Sequence, residues 1–194
     1  MTGIVAVDGL DGSGKSQLAA VLAAACASDG VPATLLHVDD FRRDLDFAGL
    51  DADAEASLYY ERYFDLAALD AKLATLTNDR ADDAGLVIVE GVFTLRVPTV
   101  AAAAALVVLT VSTDEARRRI LARDRAKGRT DEEINRRISR RYFPAQARYR
   151  AELDPDVRAA AIVDNDDWRR PRVVRYVPGR FPAPVERLLA GMAR

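Results

Sequence analysis

Cysteine occurs once in the 194 residues, at Cys26, which excludes a disulfide framework within the chain. The expectation is a thiol packed inside the first helix, in a reducing, cytoplasmic setting. Lysine is almost as scarce. Of 28 Lys and Arg residues, only Lys15, Lys72 and Lys127 are lysines. An excess of either charge is missing too, since 30 Asp and Glu leave a net charge of −2. That balance gives no reason to expect a nucleic acid or another polyanion as partner. No apolar run reaches membrane-spanning length; Val100–Val111 is too short, so no membrane partner is expected. The apolar N-terminus lacks a basic leader, so no secretory signal is expected. Repeats and linkers are absent, and low complexity is confined to alanine runs. One domain over residues 1–194 is the simplest organisation.

Against these absences stands one dense motif, Gly9-Leu10-Asp11-Gly12-Ser13-Gly14-Lys15-Ser16. It fits G-x-x-x-x-G-K-[ST], the phosphate-binding P-loop. Glycines let the backbone turn tightly and bring its N–H groups close to an anion. A lysine at Lys15 reaches the β- and γ-phosphates of a nucleotide, and the Ser16 hydroxyl suits Mg²⁺. In a chain whose usual cation is arginine, a lysine here is informative. Ile4–Val7 reads as a buried strand and Gln17–Ala27 as an Ala/Leu-rich helix, so the motif has its required strand–loop–helix setting. Residues Gly9 and Asp11 through Gln17 are the candidate nucleotide-binding set, with ATP and Mg²⁺ as the expected cofactors.

The order of elements extends this reading. Residues 3–8 predict a strand and 15–28 a helix, ended by Asp29-Gly30 and Pro32. Ala33–Val38 reads as a second strand, followed by Asp39-Asp40-Phe41 and an acidic stretch over 44–55. Ligands of open parallel sheets bind beyond the carboxyl ends of strands, where Asp39 stands. Tyr59-Tyr60-Glu61-Arg62-Tyr63-Phe64 reads either as packing or as a wall of an acceptor pocket. Asp65 caps a helix predicted to about Leu76, and Asn78–Ala84 reads as a polar loop. Leu86–Glu90 is a continuous apolar run ending in an acid, as in a strand buried on both faces. After a P-loop, Glu90 is the candidate acid for Mg²⁺ or its water shell. Leu106–Val111 predicts a fourth strand and Ala159–Val163 a fifth, while Arg172–Val177 suits a sixth or an extended edge. The expected fold is a three-layer α/β/α architecture with a mainly parallel, five-stranded sheet.

Residues 117–150 hold thirteen Arg or Lys against four Asp or Glu. They read as a basic helix and then a helix over about 131–151, interrupted or kinked at Pro144. This stretch suits a solvated face, or a lid whose cations neutralise charge on a transferring phosphoryl group. A short helix over about 183–192 closes the chain.

The chain resembles the uridine kinase branch of the P-loop kinases, which includes nicotinamide riboside kinases, phosphoribulokinase and one class of pantothenate kinase. The resemblance rests on Gly9–Ser16, Val38-Asp39-Asp40-Phe41, Val89-Glu90-Gly91-Val92-Phe93, Arg119–Arg129 with its Lys127-Gly128-Arg129, and Tyr142-Phe143-Pro144. It runs over about residues 3–172, leaving a C-terminal extension from about 172 to 194. It implies that Asp39 acts as base on an acceptor hydroxyl and that Arg119, Arg123 and Arg129 act from the lid with Lys15. Asp39, Phe41, Tyr59 and Tyr60 would then contact a small-molecule substrate. Arg42 stands where the family often has an aromatic residue, and the acidic stretch departs from the usual uridine-contacting segment. The implied reaction is phosphoryl transfer from ATP to a small-molecule hydroxyl, first the 5′-hydroxyl of a nucleoside such as uridine or cytidine. Other acceptors stay open: nicotinamide riboside, pantothenate, a sugar or a nucleoside monophosphate. So does a non-catalytic ATP-binding module.

Overall fold

Strands buried on both faces organise the molecule. A computed structural model describes residues 3–78 and 85–193; the loop expected over 78–84 lies, from residue 79 on, outside the described residues. The strands are β1 (Gly3–Gly9), β2 (Ala33–His37), β3 (Leu86–Glu90), β4 (Ala105–Thr110), β5 (Ala161–Asp164) and β6 (Arg172–Tyr176). They form one six-stranded sheet in the order β2-β3-β1-β4-β5-β6. The first five are parallel, and β6 runs antiparallel to β5 with a register shift at Ile162/Val163. The sheet therefore has six strands and not five. The extra one is an edge strand with exposed apolar side chains such as Val174, so its sequence lacks the mark of burial on both faces.

Alternation along β1 splits the core in two. Ile4 and Ala6 face Tyr59 and Tyr60 of α2 (Ala52–Arg62), Leu69 and Leu73 of α3 (Leu66–Asn78), Val100 of α4 (Pro98–Ala103) and a later helix. Val5 and Val7 face Leu18, Leu22 and Cys26 of α1 (Lys15–Ser28). A third, small cluster of Ile120, Ile134 and Ile138 stands apart under the arginine-rich stretch. Its helices are α5 (Thr113–Arg125) and α6 (Asp131–Arg137). One π-helical turn, Ile138–Tyr142, leads into α7 (Phe143–Leu153). α7 runs on directly from this turn, so Pro144 lies inside one long helical stretch, and the interruption expected at Pro144 takes the form of the π-turn just before it.

Beyond α7 come a short helix, α8 (Pro155–Arg158), then β5 and β6. The last helix, α9 (Ala183–Met192), packs its Val185 and Leu189 into the same cluster as α1. Among the described residues no helix is long and apolar enough to cross a membrane.

Leu22 is fully buried between α1 and the sheet. Leu22→Ala is expected to cost about 2–5 kcal/mol of stability in urea unfolding. A loss under about 1 kcal/mol would mean that α1 is not packed as described.

Candidate active site

The chain order of the sheet reverses around β1, which lies between β3 and β4, so a crevice opens at its carboxyl end. There the chain leaves β1 at Gly9 and enters α1 at Lys15. Two glycines make the turn fit. Gly12 has φ +78°, and a Cβ on it would stand 2.7 Å from the Ala116 carbonyl oxygen. Gly14 has φ +95°, and its Cβ would stand 2.6 Å from Asn165 Nδ2. The loop is thus gripped from outside as well as bent from within. Asn165 Nδ2 donates to the Ser13 carbonyl at 2.6 Å.

Beneath the loop lies Asp8, only 2% exposed. Its Oδ1 accepts the Gly9 N–H at 2.6 Å. Its Oδ2 accepts the Thr94 N–H at 2.9 Å, the Thr94 hydroxyl at 2.5 Å and the Tyr149 hydroxyl at 2.7 Å. Burial raises its pKa, while the Thr94 and Tyr149 hydroxyls and the Lys15 charge pull the other way. Asp11 is held from a different side. Its N–H donates to Gln146 Oε1 at 3.0 Å, and Gln146 Nε2 donates to its Oδ2 at 3.2 Å.

A cleft of about 440 Å³ opens over the loop, lined in part by Lys15, Ser16, Asp39, Glu90, Arg123 and Trp168. Lys15 Nζ donates to the Leu10 carbonyl at 2.8 Å. The Ser16 hydroxyl donates to Glu90 Oε1 at 3.0 Å, and His37 Nδ1 lies 2.5 Å from the same oxygen. Asp39 follows β2 on the short 3₁₀ turn Val38–Phe41. Partial desolvation in the cleft raises its pKa above the ordinary aspartate value; Arg42 pulls it down, and the Asp11 and Glu90 carboxylates push it further up.

The facing wall comes from α5 and the segment after β5. Arg119 donates to Glu115 Oε1 at 2.6 Å, to the Gly12 carbonyl at 3.3 Å and to the Asn165 carbonyl at 2.7 Å. It therefore braces the loop as well as lining the cleft. Arg123 lies 3.6 Å from Asp11 Oδ1 and donates to the buried Asp124 at 2.7 Å. Half-exposed Trp168 stands at the mouth with Arg169 over its ring.

Of the residues singled out from sequence, Asp11, Gly12, Gly14, Lys15, Ser16, Gln17, Asp39, Glu90, Arg119 and Arg123 line this one cleft. Gly9 and Ser13 belong to the loop but turn into the protein. Phe41, Tyr59, Tyr60 and Arg129 are not among the lining residues. Tyr59 and Tyr60 pack edge-on against Phe93, which is fully buried. Tyr60 donates its hydroxyl to Glu152, and Arg129 is held 3.1 Å from Asp124. Burial, with the Asp11, Tyr142 and Asp39 side chains nearby, pushes the Tyr59 phenol well above its usual value. Asp8, His37, Gln146, Asn165 and Trp168 also belong to the site, and no motif marks them in sequence. A polar residue inside an apolar strand was the available signal for Asp8.

The oxygen donors Ser16 and Glu90 suit a hard divalent cation. Among the described residues no group of three or more His, Cys, Asp or Glu could hold a metal alone. Backbone amides, a lysine and a helix N-terminus on one side, with a carboxylate of raised pKa on the other, can hold a polyphosphate and deprotonate a hydroxyl beside it.

A family model described as AAA domain matches residues 5–140, more than half of the chain. Among solved structures, a Bacillus stearothermophilus protein described as a possible uridine kinase has TM-score 0.61 and 20% identity, over 83% of this chain and 88% of that one. A Silicibacter sp. TM1040 protein provisionally named a fructose transport system kinase has TM-score 0.59 and 25% identity, over 77% of this chain and 85% of its own. The fold is that of the P-loop NTPases. No curated protein matches the chain in sequence.

Asp8→Ala would leave the Thr94 N–H and the Thr94 and Tyr149 hydroxyls without their acceptor. At about 1–3 kcal/mol for each buried unsatisfied group, the expected loss in urea unfolding is at least about 3 kcal/mol. A loss below about 1 kcal/mol would remove Asp8 as the keystone under the loop.

Proposed function

The chain belongs to the AAA-domain family, and from that premise we propose that it is an ATP-dependent small-molecule kinase whose acceptor is a hydroxyl. One observation carries the reading: a phosphate-binding loop and the strand-end aspartate Asp39 line the same cleft. The first acceptor we propose is the 5′-hydroxyl of a nucleoside such as uridine or cytidine, on the resemblance of the Val38–Phe41 and Val89–Phe93 segments to uridine kinases. A sugar hydroxyl is the second, favoured by the likeness to the Silicibacter kinase.

In this mechanism the P-loop amides and Lys15 bind the β- and γ-phosphates, with phosphate taking the Lys15 ammonium from the Leu10 carbonyl. Ser16 and Glu90 would hold Mg²⁺, which when bound supplies charge neutralisation across the phosphates. Asp39 orients the acceptor hydroxyl and takes its proton as the acceptor oxygen bonds to the γ-phosphorus. The bond from that phosphorus to the bridging oxygen breaks, and ADP leaves. Arg119 keeps the loop in shape. Arg123, with Arg118 beside it on the cleft wall, meets the charge of the transferring group. Trp168 offers a face on which a base stacks at the mouth. Within residues 117–150, the part that stands on the small cluster of Ile120, Ile134 and Ile138 acts as a lid that excludes water and so suppresses hydrolysis of ATP, while α7 stays anchored in the main core through Ala145 and Tyr149.

The test is ADP release from Mg·ATP by the purified protein against a panel of nucleosides, nicotinamide riboside, pantothenate and simple sugars. Strong stimulation by one acceptor is expected; stimulation by none, with ATP bound, would favour a non-catalytic module. Asp39→Asn is expected to lower kcat about 10²–10⁴-fold while ATP still binds. Lys15→Ala is expected to lose about 10²–10³-fold in rate. Unchanged turnover in either variant contradicts the role given to that residue.

A pH profile checks the base separately. Asp39 works deprotonated, so kcat/KM should rise with pH through its pKa. The acid limb should lie above the ordinary aspartate value of about 3.9 and vanish from the residual activity of Asp39→Asn. An acid limb retained in that variant would belong to another group.

A further inference from the structure

His37 is the only histidine in the chain. It ends β2 and is in register with Glu90, which ends β3 on the neighbouring strand. Its Nδ1 lies 2.5 Å from Glu90 Oε1, the oxygen that also accepts the Ser16 hydroxyl at 3.0 Å. Two lone pairs facing each other at such a distance would repel, so a proton lies between imidazole and carboxylate. Among the described residues these are the only hydrogen bonds to the Glu90 side chain, and both fall on one oxygen. Glu90 Oε2 has no protein partner, and Glu90 lines the cleft.

A glutamate has a broad terminal torsion, so nothing in its own chemistry fixes which oxygen faces a ligand. Here the two donors fix it. They come from different elements, α1 and β2, and anchor Oε1 in the protein. The Ser16 hydroxyl can give its proton to Glu90 and still offer a lone pair to a cation, so the arrangement survives metal binding.

We propose that His37 is a positioning residue: through its Nδ1–H it orients Glu90 for the divalent cation that accompanies the nucleotide. This rests on the reading above, in which Ser16 and Glu90 serve that cation. Outer-shell partners of this kind, when removed, typically cost 10–100-fold in metal affinity or activity.

The test uses the full chain and Mn²⁺ as probe, with free Mn²⁺ followed by electron paramagnetic resonance in the presence of ADP. His37→Ala is expected to weaken Mn²⁺ binding about 10–100-fold, with ADP affinity in the absence of metal unchanged. His37→Asn, whose side-chain N–H can stand where Nδ1–H stood, should recover most of the loss. Unchanged Mn²⁺ affinity in His37→Ala, or an Asn variant no better than Ala, overturns the proposal while leaving the kinase reading intact. Wild-type protein whose Mn²⁺ binding is not increased by ADP would remove the kinase reading and this inference together.

A second measurement needs no variant. With one histidine in the chain, the imidazole ¹⁵N signals belong to His37 alone. A proton on Nδ1 is expected in the wild type, and an Nδ1 without one would overturn the proposal.

Discussion

Asp8 accepts four hydrogen bonds while almost fully buried, and much of the site hangs on it. Its donors come from the first residue of the loop, from the segment after β3, and from α7. One carboxylate therefore fixes the start of the P-loop against two distant parts of the chain. A loop of glycines has little stiffness of its own. Its shape is imposed from outside, by Asp8 below, Gln146 on Asp11, Asn165 on Ser13 and Arg119 on Gly12. Preorganisation of this kind keeps the amide groups aimed at a phosphate before one arrives.

Several arginines are spent on protein partners: Arg119 on carbonyls, Arg129 on Asp124, and Arg136 and Arg141 on the fully buried Glu55. The cations that line the cleft are bonded to the protein as well, Lys15 to the Leu10 carbonyl, Arg118 and Arg119 to Glu115, and Arg123 to Asp124. An arginine-rich stretch is thus mostly a scaffold that holds a small number of cations over the loop. Buried ion pairs add little net stability, but removing one partner is costly, which suits a part that has to keep one geometry.

The fold was legible where burial is two-sided. Leu86–Val89 and Leu106–Leu109 are apolar without interruption because both faces of their strands are covered. β6 was ambiguous because an edge strand with exposed Val174 carries no such pattern. The π-turn at Ile138–Tyr142 was marked only by Pro144 just after it, since its own residues suit an α-helix equally well. The P-loop, Asp39 and Glu90 stand out in sequence at strand ends, and the structure brings them to one cleft. The supports were not: Gln146 lies 135 residues from the Asp11 it holds, and Asn165 lies 152 from Ser13. Tyr59 and Tyr60 show the converse. Their residue types suit packing and a substrate wall equally well, and their rings pack in the core around Phe93.

In the proposed reaction the cleft moves a phosphoryl group to an alcohol and not to water. ³¹P NMR of the protein with Mg·ATP and its acceptor tests this directly. The account predicts a new phosphomonoester resonance that grows in step with ADP. Inorganic phosphate as the sole new phosphorus product beside ADP would contradict it.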